Sequence, residues 1–171
     1  MTEDVYVINI IGDIVSAMSN QPINYQAGTT EQISKALNDM DNSITSKGRK
    51  YPLIAMVMPV QEKRGRSVGF YAKLTIPKIV IATISNYPTD DVLLRYDLKT
   101  GVFPNILYPL YYDFLYQCGV SPRVEGQDPT AFEHSKADYP NIRRLSSETD
   151  DWVDYMQISN LELIINQIKT C

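Results

Sequence analysis

At 171 residues and 19.4 kDa, with 44% hydrophobic and 21% charged residues, the chain is long enough to bury one globular core without staples. A formal charge of −4 and a pI near 5.0 count against nucleic acid as the principal ligand, which calls for a basic face, while leaving room for a local basic patch. No apolar run approaches the ~20 residues of a membrane span, and the acidic start "MTEDV" makes a poor signal peptide.

Residues 2 to about 19 predict a helix, with Val5, Ile8, Ile11, Gly12, Val15 and Met18 as its apolar stripe and Pro22 beyond its end. "INYQAG" reads as a short extended piece. "TTEQISKALNDMDNSI" opens a second helix with the capping-box pair Thr29 and Gln32. Ile33, Leu37, Met40 and Ile44 form its buried stripe, and Gly48 is the expected stop. The strongest β signal follows in "YPLIAMVMPV" (51–60) and "VGFYAKLTIPKIVIATISN" (68–86), joined by the polar "QEKRGRS" as a long hairpin connection. Apolar parity slips between Ile76 and Ile79 across Pro77, which predicts a bend or an edge position there.

A loop over 87–105 has room for a helical turn around Asp91 to Tyr96. "FPNILYPLYYDFLYQC" then packs six aromatic rings into a helix running from about Pro104 to Cys118 and closed by Gly119. Pro109 falls in its first turns, where it is tolerated or causes a slight kink. Residues 119–150 have no helical or strand period and predict a long irregular loop or arm of a single domain spanning 1–171. "DWVDYMQISNLELIINQIKTC" alternates in two runs of opposite parity around Ser159-Asn160 and reads as a C-terminal hairpin. The fold class expected is therefore α+β, an antiparallel sheet with a long hairpin flanked by about three helices.

Chemistry is sparse along this chain. Cys118, Cys171 and the single His134 fit no metal spacing, and Cys118 on an apolar helix face is expected to be an inert, reduced thiol. The acids Asp39, Asp41, Asp90, Asp91, Glu148, Asp150, Asp151 and Asp154 sit mostly in loops. They would have to converge on rigid elements to serve a metal-dependent nuclease, the enzyme alternative. Neither a phosphate loop nor a G-x-S-x-G elbow occurs. No catalytic residue, metal ligand or cofactor is assigned. Two basic clusters remain, Lys63, Arg64 and Arg66 at the hairpin and Arg143-Arg144 in the long loop, suited to an acidic partner surface or to nearby DNA.

The aromatic helix says more. At about 100° per residue, Leu107, Leu110, Tyr111, Phe114 and Cys118 share the core face. Tyr108, Tyr112 and Tyr116 form a second stripe that folding does not need, and tyrosine stripes suit protein interfaces.

The element order, the strand opened by Tyr51-Pro52, the "LYPLY" helix (Leu107 to Tyr111) and the terminal "ISNLEL" (Ile158 to Leu163) together resemble the neck proteins of tailed bacteriophages. These are the tail-terminator and head-to-tail connector rings, including those of crAss-like phages. The resemblance covers most of the chain outside 119–150. It implies a non-enzymatic virion subunit, made in the host cytoplasm, that assembles with itself in a six- or twelve-fold ring. Portal, connector or tail proteins would sit next to it, with no membrane and with DNA passing the lumen in non-specific contact. A monomeric adaptor is the further alternative.

Overall fold

The computed structural model describes residues 3–43, 48–64, 71–85, 92–125, 131–142 and 152–166. In chain order these form α1 (Glu3–Ser16), β1 (Asn24–Gly28), α2 (Thr30–Asp41), β2 (Leu53–Val57), β3 (Gln61–Arg64) and β4 (Tyr71–Ile84). A short α3 (Val92–Arg95), a π-helical turn (Phe103–Leu107), α4 (Tyr108–Val120), β5 (Ser135–Ile142) and β6 (Val153–Asn166) complete them. The α+β class is as expected. One six-stranded sheet runs β1-β2-β4-β6-β5, with β3 also paired to β4.

The sheet is mixed, which corrects the purely antiparallel expectation. β1 lies parallel to β2, because α2 between them supplies the crossover that a parallel pair requires. The α2 N-terminus forms as its sequence dictates: Thr29 accepts from the Gln32 N–H, and the Gln32 side chain accepts from the Thr29 N–H at 2.9 Å. This helix ends at Asp41 with Asn42 as its cap, short of Gly48. Ile33 and Leu37 are buried and Met40 half-buried, whereas Ile44 lies outside the described residues.

Each face of the sheet carries its own core. On one face α1, the π turn and α4 pack over Ile54, Met56, Leu74, Ile76, Ile79, Ile81 and the apolar residues of β6. On the other, Ile33 and Leu37 of α2 cover Leu53, Ala55, Val80 and Ala82. Burial on both faces explains why β2 reads as an unbroken apolar run. In α1 the buried set is Val7, Ile10, Ile11, Ile14, Val15 and Met18, a stripe rotated from the expected one; Ile8 is only half-buried.

Two corrections concern the C-terminal half. The expected hairpin at Ser159-Asn160 is instead the middle of one 14-residue strand, β6, paired along its length with β4. Met156 and Ile158 share a core with Leu161, Leu163 and Ile165, so the alternation does reverse, but within a continuous strand. Asn160 takes φ 54 there, a backbone state that asparagine tolerates. The partner strand reverses at the same level. Ile76 pairs with Leu161 and Lys78 with Ser159, which sets Pro77 level with Asn160, and Ile76 and Ile79 face one core. Matching irregularities in both strands keep the register constant along the whole pair.

The second correction is β5, an edge strand inside the stretch expected to be an irregular loop. "SKADYPNI" has no apolar period of its own; its pairing to β6 and the stacking of Tyr139 on Tyr155 at 4.6 Å hold it. Likewise, "QEKR" of the polar connection is β3, opposite Ala72 to Thr75 of β4.

Candidate functional site

The aromatic helix begins with a π turn, in which the Tyr108 N–H donates to the Phe103 carbonyl. Pro109 has no N–H with which to continue an α-helical ladder at this point, so a wider turn costs little. The helix then runs through Gly119 to Val120 and is capped at Ser121. Leu107, Leu110, Tyr111, Phe114, Leu115 and Cys118 are buried, which is the expected core face with Leu115 added. Cys118 is a fully buried free thiol whose pKa burial pushes well above the ordinary range, so it is inert.

The tyrosine stripe divides. Tyr108 is covered by the chain's own β5: its hydroxyl donates to Asp138 Oδ2 at 2.8 Å, and Lys136 Nζ stands 4.5 Å from its ring centroid. Lys136 also bonds Asp138 Oδ1 at 3.0 Å, so the carboxylate holds a phenol on one oxygen and an ammonium on the other. One turn on, the Tyr111 hydroxyl lies 2.7 Å from His134 Nε2. His134 Nδ1 lies 2.6 Å from the Phe132 carbonyl, which can only accept, so Nδ1 is the donor, and in that tautomer Nε2 accepts from the Tyr111 hydroxyl. Five side chains from α4 and the β5 segment thus fasten strand to helix. Each of these polar groups is engaged by a neighbour, so the cluster ties β5 to α4.

Tyr112 and Tyr116, by contrast, are 65% and 54% exposed and continue with exposed Val120 as an i, i+4, i+8 stripe. A second set of exposed apolar side chains comprises Leu93 and Leu98, 81% and 83% exposed, with Val92, Leu94 and Ile84. The α3 segment carrying it is anchored by Arg95, which is buried with Asp154 in an ion pair and donates to Ser85 Oγ at 2.7 Å. In β6 Asp154 alternates in step with the buried Met156 and Ile158, and the pairing with Arg95 satisfies its carboxylate there.

Of the basic residues singled out, Lys63 is exposed on β3 opposite Lys73. Arg64 closes β3, its side chain not among those described, and Arg66, Arg143 and Arg144 lie outside the described residues. Asp90, Asp91, Glu148, Asp150 and Asp151 also lie outside them, as does Cys171. Among the described residues, no three of His, Cys, Asp and Glu come together as a metal site, and no helix is long and apolar enough to cross a membrane. Sequence reasoning missed His134, Lys136 and Asp138. They sit 23 to 30 residues from their tyrosine partners, and no local spacing announces them.

Burial first, then the bond to Asp138, raises the Tyr108 phenol above its ordinary value of 10.0; burial does the same at Tyr111 and Tyr25. The folded state therefore keeps these protons after the unfolded chain has begun to lose them. The stabilisation is whole below about pH 10 and is lost as pH rises toward the folded values. Thermal melts should be level up to that point and fall above it, in step with phenolate absorbance. Tyr108→Phe should soften the fall, and an unchanged alkaline slope in that variant would refute the assignment.

Fold and site together define a mixed-sheet α+β protein whose aromatic helix is clasped by its own edge strand and bears an uncovered tyrosine stripe. No protein-family model, curated protein or solved structure matches the chain.

Proposed function

We propose that this chain is a virion structural protein, a homo-oligomeric ring subunit in the neck or head-to-tail connector of a tailed bacteriophage, joining portal side to tail. The observation that carries the reading is the exposed stripe Tyr112, Tyr116 and Val120 on a helix whose core face is already complete. Large, stiff aromatic side chains in water are the currency of interfaces. A ring built head to tail needs two unlike surfaces on each subunit. The exposed Leu93 and Leu98 offer a further apolar surface. It suits an adjacent portal, connector or tail protein. Lys63, with Arg64 and Arg66 close to it in sequence and Arg143 and Arg144 further along the chain, would give the ring basic residues for acidic neighbours or for DNA in the lumen.

Native mass spectrometry of the purified protein tests this directly. A closed species at six or twelve times 19.4 kDa is expected, together with the protein's presence in purified particles. A strict monomer at every concentration, absent from particles, would overturn the reading.

A further inference from the structure

The ring reading leaves open which surfaces meet, and the two ends of the sheet answer it. Among the described residues, β1 and β5 stand at the two ends of the strand order, each paired on one side only, and β3 is a further short strand paired only with β4. In the parallel β1–β2 ladder alternate residues bond inward: the Asn24 N–H donates to Pro52 O, and Gly28 O accepts from the Met58 N–H, both at 2.9 Å. Tyr25 and Ala27 therefore aim their main-chain N–H and C=O groups away from the sheet. Beside that edge runs a groove of about 340 Å³ lined by Ile8, Asn9, Gly12 and Asp13 of α1 and by Tyr25. The Tyr25 ring lies 3.3 Å from where a Cβ on Gly12 would stand, so glycine keeps helix and strand close.

We propose that the β1 edge receives the β5 edge of a second copy of this chain, so that the sheet continues from subunit to subunit; this rests on the ring reading. Three observations favour that occupant. Strand direction reverses an odd number of times from β1 to β5, so the two edges meet antiparallel. They also stand at one level, since Gln26, Ala55, Val80, Gln157 and Ala137 form a single row across the sheet. Third, α1 and α4 cover the same face, so joining the edges lays the Tyr112 flank of one copy along the α1 groove of the next.

Charge speaks against the simplest rival, β1 pairing with a second β1. The first 34 residues hold Glu3, Asp4, Asp13 and Glu31 and no lysine or arginine, whereas the rest of the chain balances 16 acids with 16 bases. Two such flanks would repel each other, whereas β5 carries one base, Lys136, against one acid, Asp138. A head-to-tail contact closes into a ring where its rotation divides a full turn, and otherwise runs on as a filament.

The test uses the whole chain in a Cys171→Ser background, with Cys118 shielded by burial. Gln26→Cys and Ala137→Cys are made separately, mixed, and treated with a short bis-maleimide. Covalent dimers are expected from the mixture and from neither variant alone. Adding Ala27→Pro to the Gln26→Cys chain removes an outward N–H at an edge position that tolerates proline, and should raise the concentration needed for assembly by roughly tenfold with far-ultraviolet circular dichroism unchanged. Cross-linking of either variant with itself, or intact rings that cross-link in no mixture, would overturn the edge-to-edge contact and leave the ring standing. A wild-type chain that never assembles would overturn both.

Discussion

Asp154→Ala is expected to destabilise the protein by about 3–5 kcal/mol, because it leaves the Arg95 guanidinium buried without its carboxylate. For a chain of this length that is a fall of roughly 10 °C in Tm. The attraction between the two groups is not the source of this magnitude. An isolated charge in a dry site is costly, whereas a well-packed apolar pair in the same place is not. Arg95→Met combined with Asp154→Leu should therefore recover most of the loss. The pair also bridges 59 residues, tying the exposed leucines of α3 to the start of β6. Asp154→Ala should accordingly raise proteolysis near Leu93 at temperatures below the main transition. A single variant that melts within about 1 °C of wild type would show that the pair does not hold α3.

Tyr112→Glu is expected to abolish assembly and leave the monomer's melting temperature within a few degrees of wild type. Tyr112 is mostly exposed, so a carboxylate there meets water in the free subunit and an apolar partner surface in the ring. Tyr116→Glu should act in the same direction. Size-exclusion chromatography with light scattering, read beside thermal melts, separates the outcomes. If Tyr112→Glu unfolds the chain, the residue belongs to the fold; if it assembles normally, the stripe is not the interface. Tyr108→Glu is the contrasting case. Tyr108 is clasped by Asp138 and Lys136, and a second carboxylate beside Asp138 would lower stability whatever the assembly state.

How much was legible beforehand follows one physical line. Signals carried by residues close in sequence came through: the Thr29–Gln32 capping box, the apolar run of β2, the helical turn near Arg95, and the core face of the aromatic helix. Parity reversals at Pro77 and Asn160 were visible too. A reversal in one strand cannot say whether the chain turns back or runs on, and only the matching irregularity in β4 showed that β6 continues. The helix stripe split for a similar reason: spacing placed Tyr108, Tyr112 and Tyr116 together, and β5 covers only the first.

The sequence by itself determined the α+β class, most element positions and the surplus of aromatic surface on one helix, because periodicity and capping act within a few residues. Tertiary structure alone decided that a polar, aperiodic segment becomes β5, that His134 and Asp138 clasp the aromatic helix, and that Asp154 is buried against Arg95. Those features depend on partners 23 to 59 residues away, whose pairing energy appears only once the sheet has assembled.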